Sequence, residues 1–149
     1  MKLKKMKNIK KVLFSTIIIL FSTLSFAGEN FFNEAKKKFD QENFEDSKFL
    51  FQRNIVYNPK HAKSYLYLAK IFKSEENEKE HIKNINTTLL LEPGNEEAMY
   101  MLISYEIDKS NYSKVKDLKE NFLIICKKLC DKTKKIDKSL EDIEPKNES

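Results

Sequence analysis

Tryptophan is absent from this chain, and glycine and proline are scarce, with two and three residues among 149. So few glycines leave no glycine-rich loop of the kind that cradles phosphate groups. No nucleophile motif and no convergent carboxylate pair stands out either, so no enzymatic activity is expected. The two histidines, His61 and His81, fall in other segments than the two cysteines and supply no further ligand beside them, so no metal and no cofactor are expected. What fills the chain instead is Lys, Glu, Leu, Ile and Asn. Straight-chain residues with few breakers point to an all-α protein.

The N-terminus reads differently from the rest. Six lysines (Lys2, Lys4, Lys5, Lys7, Lys10, Lys11) precede the apolar run Val12 to Phe26, which closes on Ser25-Phe26-Ala27 and then Gly28. This is the layout of a secretory signal peptide over residues 1–27, with cleavage between Ala27 and Gly28. No cysteine lies near that point, which disfavours a lipid anchor. The other reading is a retained anchor helix, but the 16 residues from Val12 to Ala27 span roughly 24 Å against a hydrocarbon core of about 30 Å. The expected location is therefore the periplasm or outside the cell, with an inner-membrane anchor as the alternative. A membrane is a partner only through this segment, if it is uncleaved.

Cleavage changes the charge argument. Taking the six lysines from the 28 basic residues leaves 22 against 23 acidic ones, a net charge of −1 for residues 28–149. The basic balance belongs to the export signal, and nucleic-acid binding is not expected.

The 122 residues that follow carry an internal period of 34. Asn43, Asn77 and Asn111 step by it, as do Pro59 and Pro93, Ala35 and Ala69, and Leu68 and Leu102. Phe32, Leu66 and Tyr100 form one series, and Phe31, Tyr65 and Met99 another. Each period reads as two helices. Tyr65, Leu68, Ala69 and Phe72 share one face of the first helix of the second period. Asn77 with Glu80 three residues on is a capping-box pattern, and Ile82, Ile85 and Leu89 mark the partner helix. In the third period Val115, Leu118, Phe122, Ile125 and Leu129 step by 3, 4, 3 and 4, which predicts a helix running to Leu129. The small Ala35 and Ala69 suit a close helix crossing.

A helix–turn–helix period of 34 with these positions filled resembles the tetratricopeptide repeat (TPR) family. The resemblance covers Gly28 to Leu129, through Glu42-Asn43-Phe44 with Asn58-Pro59, Tyr65-Leu66-Tyr67-Leu68-Ala69 with Glu92-Pro93, and Ala98-Met99-Tyr100-Met101-Leu102 with Ser110-Asn111-Tyr112. It implies a right-handed superhelical stack of three hairpins (28–61, 62–95 and 96–129) within 28–130. A capping helix over 131–144 is read from Ile136, Leu140 and Ile143, and a disordered tail over 145–149. The chain departs from the family pattern where glycine usually forms the turn (Glu42, Glu76, Ser110), where alanine usually opens the second helix (Ser47, His81, Val115), and at Ile103 in the third crossing.

The resemblance also implies a concave groove that takes a protein or peptide. Its residues by register are Phe32, Lys36 and Phe39, then Leu66, Lys70 and Lys73, then Tyr100, Ser104 and Ile107. The apolar stripe Phe32–Leu66–Tyr100, flanked by lysines, would suit an extended or helical segment with acidic flanks. A groove that clamps C-terminal carboxylates is not expected, because the matching places hold Phe32, Lys36, Tyr67, Glu97 and Met101, with a single cation and no Asn. The function implied is a protein-binding scaffold or adaptor of the bacterial envelope, with a membrane-tethered scaffold as one alternative. The other alternative is a thiol- or metal-handling accessory protein using Cys126 and Cys130. Four apart on the last long helix, these two fall on one face and could form a disulfide if the helix unwinds near Leu129, remain as buried thiols, or serve redox, metal or intermolecular chemistry.

Overall fold

The computed structural model describes residues 31–141, and the expected signal peptide with its Ala27/Gly28 cleavage point, together with the 145–149 tail, lies outside them. Every element among the described residues is helical. Helix α1 spans 31–40, α2 Phe44–Tyr57, α3 Ala62–Ser74, α4 Glu78–Leu91, α5 Glu96–Asp108 and α6 Tyr112–Ile125. A 3₁₀ turn, Cys130–Lys132, leads into α7, Thr133–Glu141. The chain forms two compact units that divide after Ser64.

The turns inside the hairpins explain how the period survives without glycine. Glu42, Glu76 and Ser110, 34 residues apart, all adopt the left-handed conformation, with φ of 60°, 57° and 59°. Their N–H groups donate to the carbonyls of Phe39, Lys73 and Ile107. The N–H groups of the asparagines that follow reach back to Lys38, Phe72 and Glu106, at 3.0, 2.9 and 2.9 Å. This paired bond pattern closes a helix C-terminus and satisfies carbonyls that would otherwise be orphaned. The same asparagines then open the next helix. Asn43 accepts from the Asp46 N–H and Asn77 from the Glu80 N–H. One polar residue thus ends one helix and starts the next, which keeps the turn short.

In the first unit the hairpin is fastened by Ser47, whose Oγ donates to the Ala35 carbonyl at 2.9 Å, both residues fully buried. Phe51 fills the space beside Phe32. In the second unit His81 repeats the device one period later, with Nδ1 at 2.8 Å from the Ala69 carbonyl. Because a carbonyl only accepts, His81 Nδ1 carries the proton. The third hairpin replaces both members with aliphatic side chains, Ile103 and Val115, which are fully buried with Phe122 and Ile136. The departures at the crossing are therefore matched pairs: a small residue faces a polar one that bonds its carbonyl, or two branched apolar residues face each other.

The end of the third hairpin differs from the sequence expectation. Helix α6 stops at Ile125 and not at Leu129, because Cys126 is extended, with φ −64° and ψ 139°. Cys126 and Cys130 consequently do not share a helix face; they flank a loop and are joined by a disulfide. Helix α7 follows the 34-residue step: Leu68, Leu102 and Ile136 are equivalent, and all three are buried. It occupies the place that the first helix of a fourth period would take, with Ile136 in the core and Leu140 packed against it.

Candidate functional site

The residues expected to line a groove fall in both units and are placed unit by unit. In the first unit, Phe32 is half-buried and its ring lies 5.7 Å from Phe51 and 4.5 Å from the His61 ring. Phe39 stands edge-on to Phe44 at 5.4 Å. Lys36 forms an ion pair with Asp40 at 2.6 Å. The two aromatic rings therefore serve the hairpin itself, and the lysine already has an acid beside it.

In the second unit the candidates separate into two kinds. Leu66 is buried, with 6% of its surface exposed, and offers a partner little area. Lys70 is committed to Glu97 at 2.7 Å and lies 4.7 Å over the Tyr67 ring. The rest converge. Lys73 at the end of α3, and Tyr100, Ser104 and Ile107 along α5, line one cavity. Its remaining walls are Asp108 and three residues of α7: Lys135, Ile136 and Ser139. Its apolar surface comes from Tyr100 and Ile107, which are half-buried and pack against the core cluster of Phe122 and the buried Ile136. Lys73 and Lys135 are both exposed, and neither is ion-paired among the described residues.

Sequence reasoning named Lys73, Tyr100, Ser104 and Ile107 but not Lys135 or Ser139. The signal that finds them is the step from Leu102 to Ile136, which extends the repeat one helix further. An amphipathic cap and the first helix of a repeat have the same 3- and 4-residue apolar spacing, so the spacing alone does not separate them.

A second polar group stabilises α5. Glu106 is buried, with 3% exposed, and takes the place that Phe72 holds one period earlier. Burial pushes its carboxyl up, but the bonds from Lys114 and Asn111 outweigh that and hold it below the usual carboxylate range. Asn111 is drawn to Glu106 at 2.6 Å and makes no side-chain cap on α6, unlike Asn43 and Asn77 on their helices.

The disulfide loop makes the third polar feature. The carboxylate of Glu96, first residue of α5, accepts the N–H groups of Lys128 and Leu129 at 2.9 and 2.8 Å. Backbone N–H groups of the loop, Lys127 foremost and then Leu129, hold Glu96 below the usual carboxylate range against the effect of burial. Among the described residues no group of three or more His, Cys, Asp or Glu is placed to hold a metal ion. His61 bonds Ser64, which also accepts from Asn54, so it belongs to a local polar cluster.

No protein-family model matches the chain, and no curated protein is detectably similar to it in sequence. Solved structures do match. The TPR2B-domain:pHsp70 complex of yeast Sti1 is similar at a TM-score of 0.64 and 16% identity, covering 76% of this chain and 93% of that one. The CopN–Scc3 complex matches at 0.61 and 12%, covering 78% and 68%. The Sgt2 TPR domain from Aspergillus fumigatus matches at 0.58 and 11%, covering 78% and 76%. At these identities the likeness is one of fold: the chain has a TPR-like fold, as the resemblance of its 34-residue repeat implies.

Proposed function

We propose that this TPR-like chain is a protein-binding scaffold or adaptor, acting without chemistry of its own in the bacterial envelope after removal of residues 1–27. The observation that carries the reading is the cavity of the second unit, where the half-buried Tyr100 and Ile107 present apolar surface beside the hydroxyls of Ser104 and Ser139, between two lysines that have no ion pair among the described residues. Such a surface accepts a peptide segment that supplies one apolar anchor and an acidic neighbour. Two of the similar structures are complexes with protein or peptide partners, which supports a binding role for the fold. The lysine-flanked stripe from Phe32 to Tyr100 contracts to this cavity, because Lys36 and Lys70 have intramolecular acids and Leu66 is buried. The export part of the reading rests on the six lysines, the apolar run and the Ala27-Gly28 junction.

A photoreactive side chain at Ser104 tests the reading, with Asn86, an exposed position on α4, as control. A specific crosslinked partner from Ser104 and none from Asn86 is the expected result. Equal labelling at the two positions, or none at Ser104, contradicts it.

A further inference from the structure

We propose that the Cys126–Cys130 disulfide is a redox switch that selects between two ends for helix α6 and thereby sets the position of α7. The starting point is a conflict between pattern and structure. The apolar steps Val115, Leu118, Phe122, Ile125 and Leu129 continue without a break past Cys126, yet the helix ends at Ile125. Lys127, Lys128 and Leu129 are good helix formers, and no proline or glycine intervenes. Two lysines in the last turn of a longer helix would also suit the negative end of its dipole. Nothing local in residues 127–129 stops α6; what holds the loop is the covalent link and the Glu96 carboxylate.

The two ends exclude each other. With α6 broken, the N–H groups of Lys128 and Leu129 donate to Glu96. With α6 continued, the same two N–H groups would donate to the carbonyls of Ile124 and Ile125, and Glu96 would lose both. A local choice between two named sets of hydrogen bonds is a two-state element of the kind that switches use. Its consequence reaches α7, which starts directly after the 3₁₀ turn Cys130–Lys132 and carries Ile136 into the core. Carrying α6 on by a turn consumes the loop that lets α7 fold back, so Ile136, Lys135 and Ser139 leave the cavity wall.

The chemistry needs an external dithiol reductant. One thiolate of that reductant attacks the Cys130 sulfur, which lies on the more exposed side of the bond, and Cys126 leaves as thiolate. The second thiol of the reductant displaces Cys130 from the mixed disulfide. Two electrons enter the protein, the reductant departs as its own disulfide, and each cysteine gains a proton. The switch itself is read without any partner; its effect on partner binding rests on the reading of the cavity given above.

The test is amide exchange of the full chain, oxidised and reduced, with and without Glu96→Gln. In the oxidised protein Glu96→Gln should speed exchange at Lys128 and Leu129 by roughly tenfold or more, since those amides lose a charged acceptor. In the reduced protein the same substitution should leave them unchanged, the helical signal in circular dichroism should rise, and protection across 133–141 should fall. Equal effects of Glu96→Gln in both redox states would show that the loop persists without its disulfide and would overturn the proposal. A loss of helical signal on reduction would equally overturn it, leaving a structural staple. The Cys126→Ser, Cys130→Ser double variant should match the reduced protein, and reduced wild type gives the same readout if that variant does not fold.

Discussion

At the scale of single residues, the three left-handed turn positions carry a cost that glycine would avoid. Glu42, Glu76 and Ser110 each hold φ near 60°, where a Cβ crowds the following carbonyl. Glycine in the unfolded chain is more mobile, which offsets part of the gain. Glu76→Gly is expected to raise stability by about 0.5–1 kcal/mol, read as a higher denaturation midpoint; a lower midpoint would mean that the Glu76 side chain makes contacts outweighing its backbone strain. Glu96 and Glu106 are both held below the usual carboxylate range in the folded chain. Their stabilisation is therefore present above the carboxylate range of the unfolded chain and is lost as pH falls through the folded values. Glu106→Gln and Glu96→Gln should each flatten the acid limb of a stability–pH curve while leaving its shape above about pH 7 unchanged, a comparison made by denaturant titration between about pH 3 and 9. The residues that bond across a hairpin were only partly legible. The step from Ser47 to His81 is visible in the sequence, but which carbonyl each reaches depends on the crossing geometry.

At the scale of elements, the caps and prolines of the period mark where α2 and α4 begin and end, because those boundaries are written in local chemistry. Asparagine at 43 and 77 caps by its own side chain, and proline at 59 and 93 cannot continue a helix. The end of α6 was not legible, since its apolar pattern runs on to Leu129 and the break at Cys126 is made by a disulfide and a distant carboxylate. Closing a loop this short restrains little of the unfolded chain and contributes about 2 kcal/mol, so its effect is local. Helix α7 is held chiefly by Ile136, 1% exposed, against Ile103, Val115 and Phe122. Ile136→Ala should therefore undock α7. Limited proteolysis should cut between Cys126 and α7 much faster in the variant, while α3 to α5 stay protected; cutting spread evenly over the chain would instead make α7 integral to the unit's stability. His81→Ala should cost about 2 kcal/mol by removing a buried ring and its bond to Ala69. A loss under 0.5 kcal/mol on thermal unfolding would show that the hairpin closes without that bond.

At the scale of the whole molecule, the net charge depends on whether residues 1–27 are removed. With residues 1–27 removed the chain is almost neutral, so its lysines act locally and not as one basic field. Intact mass of protein from the envelope should correspond to a chain starting at Gly28, two hydrogens lighter than the dithiol form; a full-length mass would place the protein on a tether. Binding by the cavity is the central claim, and a structure-preserving charge change tests it most directly. For the partner captured at Ser104, affinity should be measured for the wild type and for Lys73→Glu with Lys135→Glu, two exposed positions, with circular dichroism checking that the helical signal is kept. The account predicts affinity weaker by roughly tenfold or more, with the loss shrinking at high salt as screening removes the lysines' advantage. Unchanged affinity in the folded double variant would contradict it and move the binding surface elsewhere on the chain.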